Sequence, residues 1–171
     1  MARNNSISLR KRAGGFSLIE LVIVVVIIGI IAAIAIPRMS RGTAAAGDSA
    51  VAGNLSVLRN AIELYTTEHG GTLPTGTASQ ITDKLTKYTD DSGATSDTKT
   101  GNFVYGPYLR KIPPVTVGTL KSSAVNNLIV PGTTVEATPT GGWLYDTATG
   151  NLKVNLADTE KDQAGKIYNT Y

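Results

Sequence analysis

Residues Phe16 to Ile36 form a run of 21 residues that carries a single charge, Glu20. No other feature constrains the chain as strongly. About 20 apolar residues in a helix cover the ~30 Å of a bilayer's hydrocarbon, so this run is long enough to span one. It is too long and too uniformly apolar for the buried helix of a small domain. A cleaved secretory signal competes with this reading, and Ala32-Ala33-Ile34-Ala35 offers a small-residue pattern suited to cleavage. Two features weigh against it. A charge stands near the start of the run, and the residues beyond Ile36 read as more of the same helix.

From Ala44 to Glu68 the apolar residues keep a helical period. Val51, Leu55, Leu58, Ile62 and Tyr65 are spaced by 4, 3, 4 and 3 residues, which draws one stripe along an amphipathic helix. Arg59, Asn60 and Glu63 fall on its other side. Gly70-Gly71 predicts the stop. Only Pro37 and the small residues from Ser40 to Ala46 separate this stripe from the apolar run. Pro37 removes one helical hydrogen bond and crowds the preceding turn, which predicts a kink rather than a domain break. Phe16 to His69 therefore reads as one helix of 54 residues, roughly 80 Å long at 1.5 Å per residue.

Gly71 to Tyr171 changes character and is rich in Thr, Gly, Ser and Asn. Ile81, Leu85 and Tyr88 suggest a short second helix, and Asp90 to Gly101 a polar loop. Phe103 to Tyr105, Asn127 to Val130 and Thr133 to Ala137 are candidate strands. The strongest hairpin signal pairs Gly142 to Asp146 with Asn151 to Leu156 across a turn ending in Gly150. The expected fold is α+β: a long N-terminal helix packed on a small antiparallel sheet. The expected segments are 16–36 as the spanning helix, 37–70 as its amphipathic continuation and 71–171 as a globular head.

Composition removes much enzyme chemistry. There is no Cys and one His, His69, so disulfides, thiolate nucleophiles and zinc sites built on Cys are excluded. A Ser-His-Asp site would need His69, which stands at the expected helix end, where capping is the simpler role. No phosphate-binding or dinucleotide fingerprint occurs. The net charge of +3 comes from the N-terminus: Arg3, Arg10, Lys11 and Arg12 lie in the first 15 residues with no acid among them. In the rest, 12 Lys and Arg meet 13 Asp and Glu, which leaves no basic patch for nucleic acid. A basic arm against an apolar run instead suits a positive flank held on the cytoplasmic side of a membrane.

The junction Lys11-Arg12-Ala13-Gly14-Gly15-Phe16-Ser17-Leu18-Ile19-Glu20-Leu21 resembles the N-terminal signature of type IV prepilins and type II secretion pseudopilins. That pattern is a basic leader, a Gly, a Phe, three mostly apolar residues and a Glu at the head of a long apolar helix. Gly29 within the run and Pro37 just past it also resemble the family. Tyr105 to Pro113 and Gly142 to Gly150 resemble, more weakly, segments of major pseudopilins. The stretch from Val115 to Thr140 is longer than in short major pseudopilins, so pseudopilus and true pilus both stay open.

The resemblance implies that residues 1–15 are a leader, that a prepilin peptidase cuts between Gly15 and Phe16, and that the new amine of Phe16 is methylated. It implies a single-pass protein of the bacterial inner membrane, leader cytoplasmic and head periplasmic, that later joins a filament. The implied partners are further copies of the chain, minor pilins or pseudopilins, and an inner-membrane assembly platform. The implied function is structural, not enzymatic: polymerisation into a pseudopilus or pilus-like filament that serves protein secretion. A signal-anchored periplasmic binding or enzymatic domain is the alternative class. Gly15 leaves a protease room to seat the scissile bond. A carboxylate near the edge of a span is costly unless hydrated or paired, and a neighbouring subunit's Phe16 amine is the natural partner for Glu20; snorkelling to the interface is the simpler role. Major pseudopilins use calcium in C-terminal loops, and Asp158, Glu160 and Asp162, followed by Gly165, form a weak candidate. Three solvated acids are the plainer reading.

Overall fold

The computed structural model describes residues 15–171. Of the expected leader only Gly15 is among them; Arg3, Arg10, Lys11 and Arg12 lie outside the described residues. Helix α1 spans Leu18–Glu68. The chain divides into two compact units, one ending at Ser40 and one from Arg41 to Tyr171.

In the first unit, large apolar side chains are open on every side of the helix, from Val22 at 46% exposed to Leu18 at 79%. Pro37 does not end the helix, which continues to Glu68. The run of Ala44 to Ala46 beyond it has high helix propensity and no β-branching. Termination comes instead from Gly70, at φ +62°. This left-handed residue, followed by a Gly71 amide donating to the Thr66 carbonyl at 2.8 Å, closes α1 in a Schellman turn.

In the second unit, the stripe Val51, Leu55, Leu58, Ile62 and Tyr65 is buried throughout, none more than 4% exposed. It packs into one core with Ile81, Leu85, Val115, Ile129, Trp143, Tyr145 and Val154. Burial of each aliphatic member contributes about 1.5–3 kcal/mol, so this face of α1 is the wall on which the unit is built. Helix α2, Ala78–Thr86, starts at a capping box in which Thr77 and Gln80 bond each other's backbone amides. It ends at Thr86, two residues short of Tyr88, where the Leu85 carbonyl accepts from the amides of Tyr108 and Leu109. Tyr88 falls instead in β1, Tyr88–Thr89, which pairs antiparallel with β2, Thr95–Ser96. The expected loop at 90–101 thus contains a strand, and the expected strand at 103–105 reduces to a bridge from Tyr105 to Thr89.

The main sheet has the order β3-β4-β5, with β3 at Ile129–Pro131, β4 at Trp143–Tyr145 and β5 at Leu152–Val154. The hairpin forms as its sequence predicts: β4 and β5 are antiparallel, with Trp143 opposite Val154 and Tyr145 opposite Leu152. Strand β3, however, runs parallel to β4, with Ile129 opposite Trp143. The sheet is therefore mixed rather than wholly antiparallel. Gly142 permits the close approach at the start of this pairing. A Cβ there would stand 2.0 Å from the Asn126 carbonyl oxygen, so only glycine lets the start of β4 lie against the segment leading into β3. The expected strand at 133–137 is a loop. The Glu136 carboxylate accepts from the Thr140 amide at 2.7 Å and from the buried Asn155 amide group at 3.0 Å, while Asn155 Oδ1 accepts from the Glu136 amide. These side-chain bonds, one set from Thr140 nearby and one from Asn155 across the fold, stand in place of a strand ladder.

Candidate functional site

The candidate site lies where α1 begins. Gly15, Phe16 and Ser17 precede the helix in irregular backbone, and Leu18 is its first residue. Phe16 is exposed. A Cβ added to Gly15 would meet no atom within 4 Å, so nothing in the described chain itself requires glycine there. Glu20 lies in the first helical turn, where the positive end of the helix dipole favours a carboxylate. One of its oxygens accepts from the Ser17 backbone amide at 3.3 Å. This is one half of a capping box, Ser17-x-x-Glu20, a pattern present in the sequence whose local role sequence reasoning missed. Glu20 therefore caps its own helix while staying exposed enough to meet another group.

The other candidate residues do not converge. Asp158 accepts from the Asn169 side-chain amide at 2.7 Å. Glu160 accepts from the amide and hydroxyl of Thr119 at 2.9 and 2.8 Å. Asp162 accepts from the amides of Ala164 and Lys166 and from the Tyr171 hydroxyl. The Tyr171 bond is the largest of the causes that hold the Asp162 carboxyl below the usual range. Each acid thus ties a different segment of the C-terminal region. No group of three or more His, Asp or Glu side chains able to hold a metal occurs among the described residues. His69 is engaged at both ring nitrogens by backbone carbonyls, which leaves no free base for a hydroxyl nucleophile. A concavity of about 310 Å³ is lined by Arg59, Asp146 and Lys153, but Arg59 spends its guanidinium on the carbonyls of Leu152 and Tyr171 at 2.9 and 2.8 Å.

Helix α1 is long and apolar enough in its first part to cross a membrane, and it is headed by a Phe and a capping carboxylate. Residues 10–36 match the family model of the prokaryotic N-terminal methylation motif. The chain is also similar to the type IV narrow pilus major component PilA5 of Thermus thermophilus, 45% identical over 64 residues. That stretch covers 37% of this chain and 54% of the relative, so the chain spans about half the length of the curated relative it matches. No solved structure matches. The resemblance to a type IV pilus component is thus confined to that stretch, together with the methylation motif at residues 10–36.

Proposed function

We propose that this chain is a filament subunit. A prepilin peptidase removes residues 1–15, Phe16 receives a methyl group on its new amine, and the helix from Phe16 to Ile36 holds the protein in the inner membrane with residues 71–171 on the periplasmic side. Copies of the chain then polymerise, with minor subunits and through an inner-membrane platform, into a type IV pilus-like filament or a secretion pseudopilus. The observation that carries this reading is the placement of Gly15, Phe16 and Glu20 at the head of an apolar helix exposed all round.

Mass spectrometry of the membrane-borne protein tests the proposal. A mature N-terminus at methylated Phe16 is expected, and Gly15→Val should leave uncleaved precursor of normal fold. An intact Met1 in the mature protein, or normal maturation of Gly15→Val, overturns the processing reading and favours a signal-anchored domain.

A further inference from the structure

The second unit carries an apolar groove on one flank of α1 and an apolar knob on another. The groove, about 360 Å³, lies between α1 and the β4–β5 turn and is lined by Ile62, Glu63, Thr67, Leu73 and Gly150. Two charges reach it. Arg59 is held by the carbonyls of Leu152 and Tyr171. Glu63 is exposed, and its carboxylate has no hydrogen bond or ion pair among the described residues. The knob is the turn that follows β2. The Phe103 amide donates to the Thr100 carbonyl at 3.1 Å, with Gly101 at φ +58° between them. Lys99 and Val104 flank this tight turn. Val104 is 48% exposed, and Lys99 is exposed with no ion pair among the described residues.

Groove and knob face different ways. The Tyr108 hydroxyl, four residues beyond Val104, donates to Glu68, whereas the groove uses Glu63. Five residues along a helix turn a side chain by about 140°. A contact between two such patches joins different copies, and it leaves a groove open at one end of the row and a knob at the other. Contacts of this head-to-tail kind propagate instead of closing on themselves. We infer that Val104 of one copy seats in this groove of the next, with Lys99 paired to Glu63, and that the heads of neighbouring subunits meet there. The inference rests on the filament reading above. One apolar knob and one exposed ion pair are too little to hold free heads together. The contact acts between copies already gathered by their helices, where the effective concentration is high.

The chain contains no Cys, so thiols placed at Thr67 in the groove and at Asn102 in the turn are the only ones present. Sheared filaments of the full chain carrying Thr67→Cys and Asn102→Cys together, treated with a short bismaleimide, should give a ladder of covalent oligomers on a denaturing gel. One thiol per chain links two copies at most, so neither single variant should give a ladder. Charge reversal supplies a second reading. Glu63→Lys or Lys99→Glu alone should lower filament yield about fivefold, the scale of one exposed pair. The two together should restore it, with the membrane pool unchanged throughout. Filaments without a ladder, dimers without higher oligomers, or a double reversal no better than the single ones would overturn this contact and leave the filament reading standing. Absence of filaments from the wild-type chain would overturn the filament reading, and this contact with it.

Discussion

Glu20 is the only charged side chain between Phe16 and Ile36, and two roles meet on it. In the single chain it accepts from the Ser17 amide; in the proposed filament it pairs with a neighbour's Phe16 amine. The roles separate under mutation. Removing the carboxylate lowers the cost of membrane insertion and leaves the Gly15–Phe16 bond untouched, while the lost first-turn carboxylate costs the helix about 0.3–1 kcal/mol. Glu20→Ala should therefore give cleaved, membrane-resident protein with few or no filaments, and Glu20→Asp an intermediate yield because its shorter reach weakens the pair. Sheared filaments and the membrane pool should be quantified together. Wild-type filament yield from Glu20→Ala would leave Glu20 as a helix cap alone.

Among the elements, β4 carries the most packing per residue. Its three residues are all buried: Trp143 and Tyr145 at 0% exposed and Leu144 at 2%. Trp143 also donates its indole N–H to the Pro113 carbonyl at 2.7 Å, so its loss both opens a cavity and strands an acceptor. Trp143→Ala should destabilise the fold by ~3 kcal/mol or more, read from chemical denaturation. A change within ~0.5 kcal/mol, the range of surface positions, would contradict the core placement. Tyr145 behaves oppositely. Its hydroxyl is buried without a hydrogen-bond partner among the described residues, and burial, ahead of the nearby Asp146 charge, pushes its ionisation up to about 12. Tyr145→Phe removes an unpaired polar atom at nearly constant shape. It should hold or gain stability, by about 1 kcal/mol, and a clear loss in the same denaturation assay would show that the hydroxyl has a partner after all.

At the scale of the whole chain, the second unit contains its own core from Val51 onward. A fragment beginning at Thr43 drops the apolar run and keeps the stripe, so it should be soluble and monomeric by light scattering. Aggregation would mean that this unit exposes an apolar face needing cover. Its thermal stability should fall at both pH extremes. Asp90, Asp146, Asp162 and Glu136 have depressed carboxyls, held mainly by hydroxyl and amide donors such as Thr149 on Asp146 and Thr140 on Glu136. A depressed group stabilises above its unfolded value, so this part is full above about pH 4 and is lost as pH falls below it. Tyr145 and Tyr171 are raised to about 12, the first chiefly by burial and the second chiefly by its bond to Asp162. Neither lowers stability below about pH 10; as pH rises from there through about 12, stability falls because ionisation puts a buried charge at Tyr145 and breaks the Tyr171–Asp162 bond. A melting temperature flat from about pH 2 to about pH 12 would remove these bonds from the account.

The sequence by itself determined what is periodic or local. The charge-poor run, the position of Glu20 within it, the stripe from Val51 to Tyr65, the double-glycine stop and the β4–β5 hairpin each depend on residues within a few turns of one another. Burial then follows from spacing alone. Tertiary structure decided the rest, because the deciding partners are far apart in sequence. Asn155 holds Glu136 from 19 residues away, which makes a loop of a stretch rich in strand formers. Gly142 seats against Asn126, 16 residues away, which lets β4 lie close to the segment leading into β3. Asp158, Glu160 and Asp162 alternate in sequence as ligands of one ion would, yet donors at Asn169, Thr119 and Tyr171 draw them apart. His69 reads as a helix cap until the fold brings the Asp90 carbonyl to its second nitrogen. A side chain's chemistry is written at its own position, but its hydrogen-bond partner is set by which distant backbone the core brings beside it.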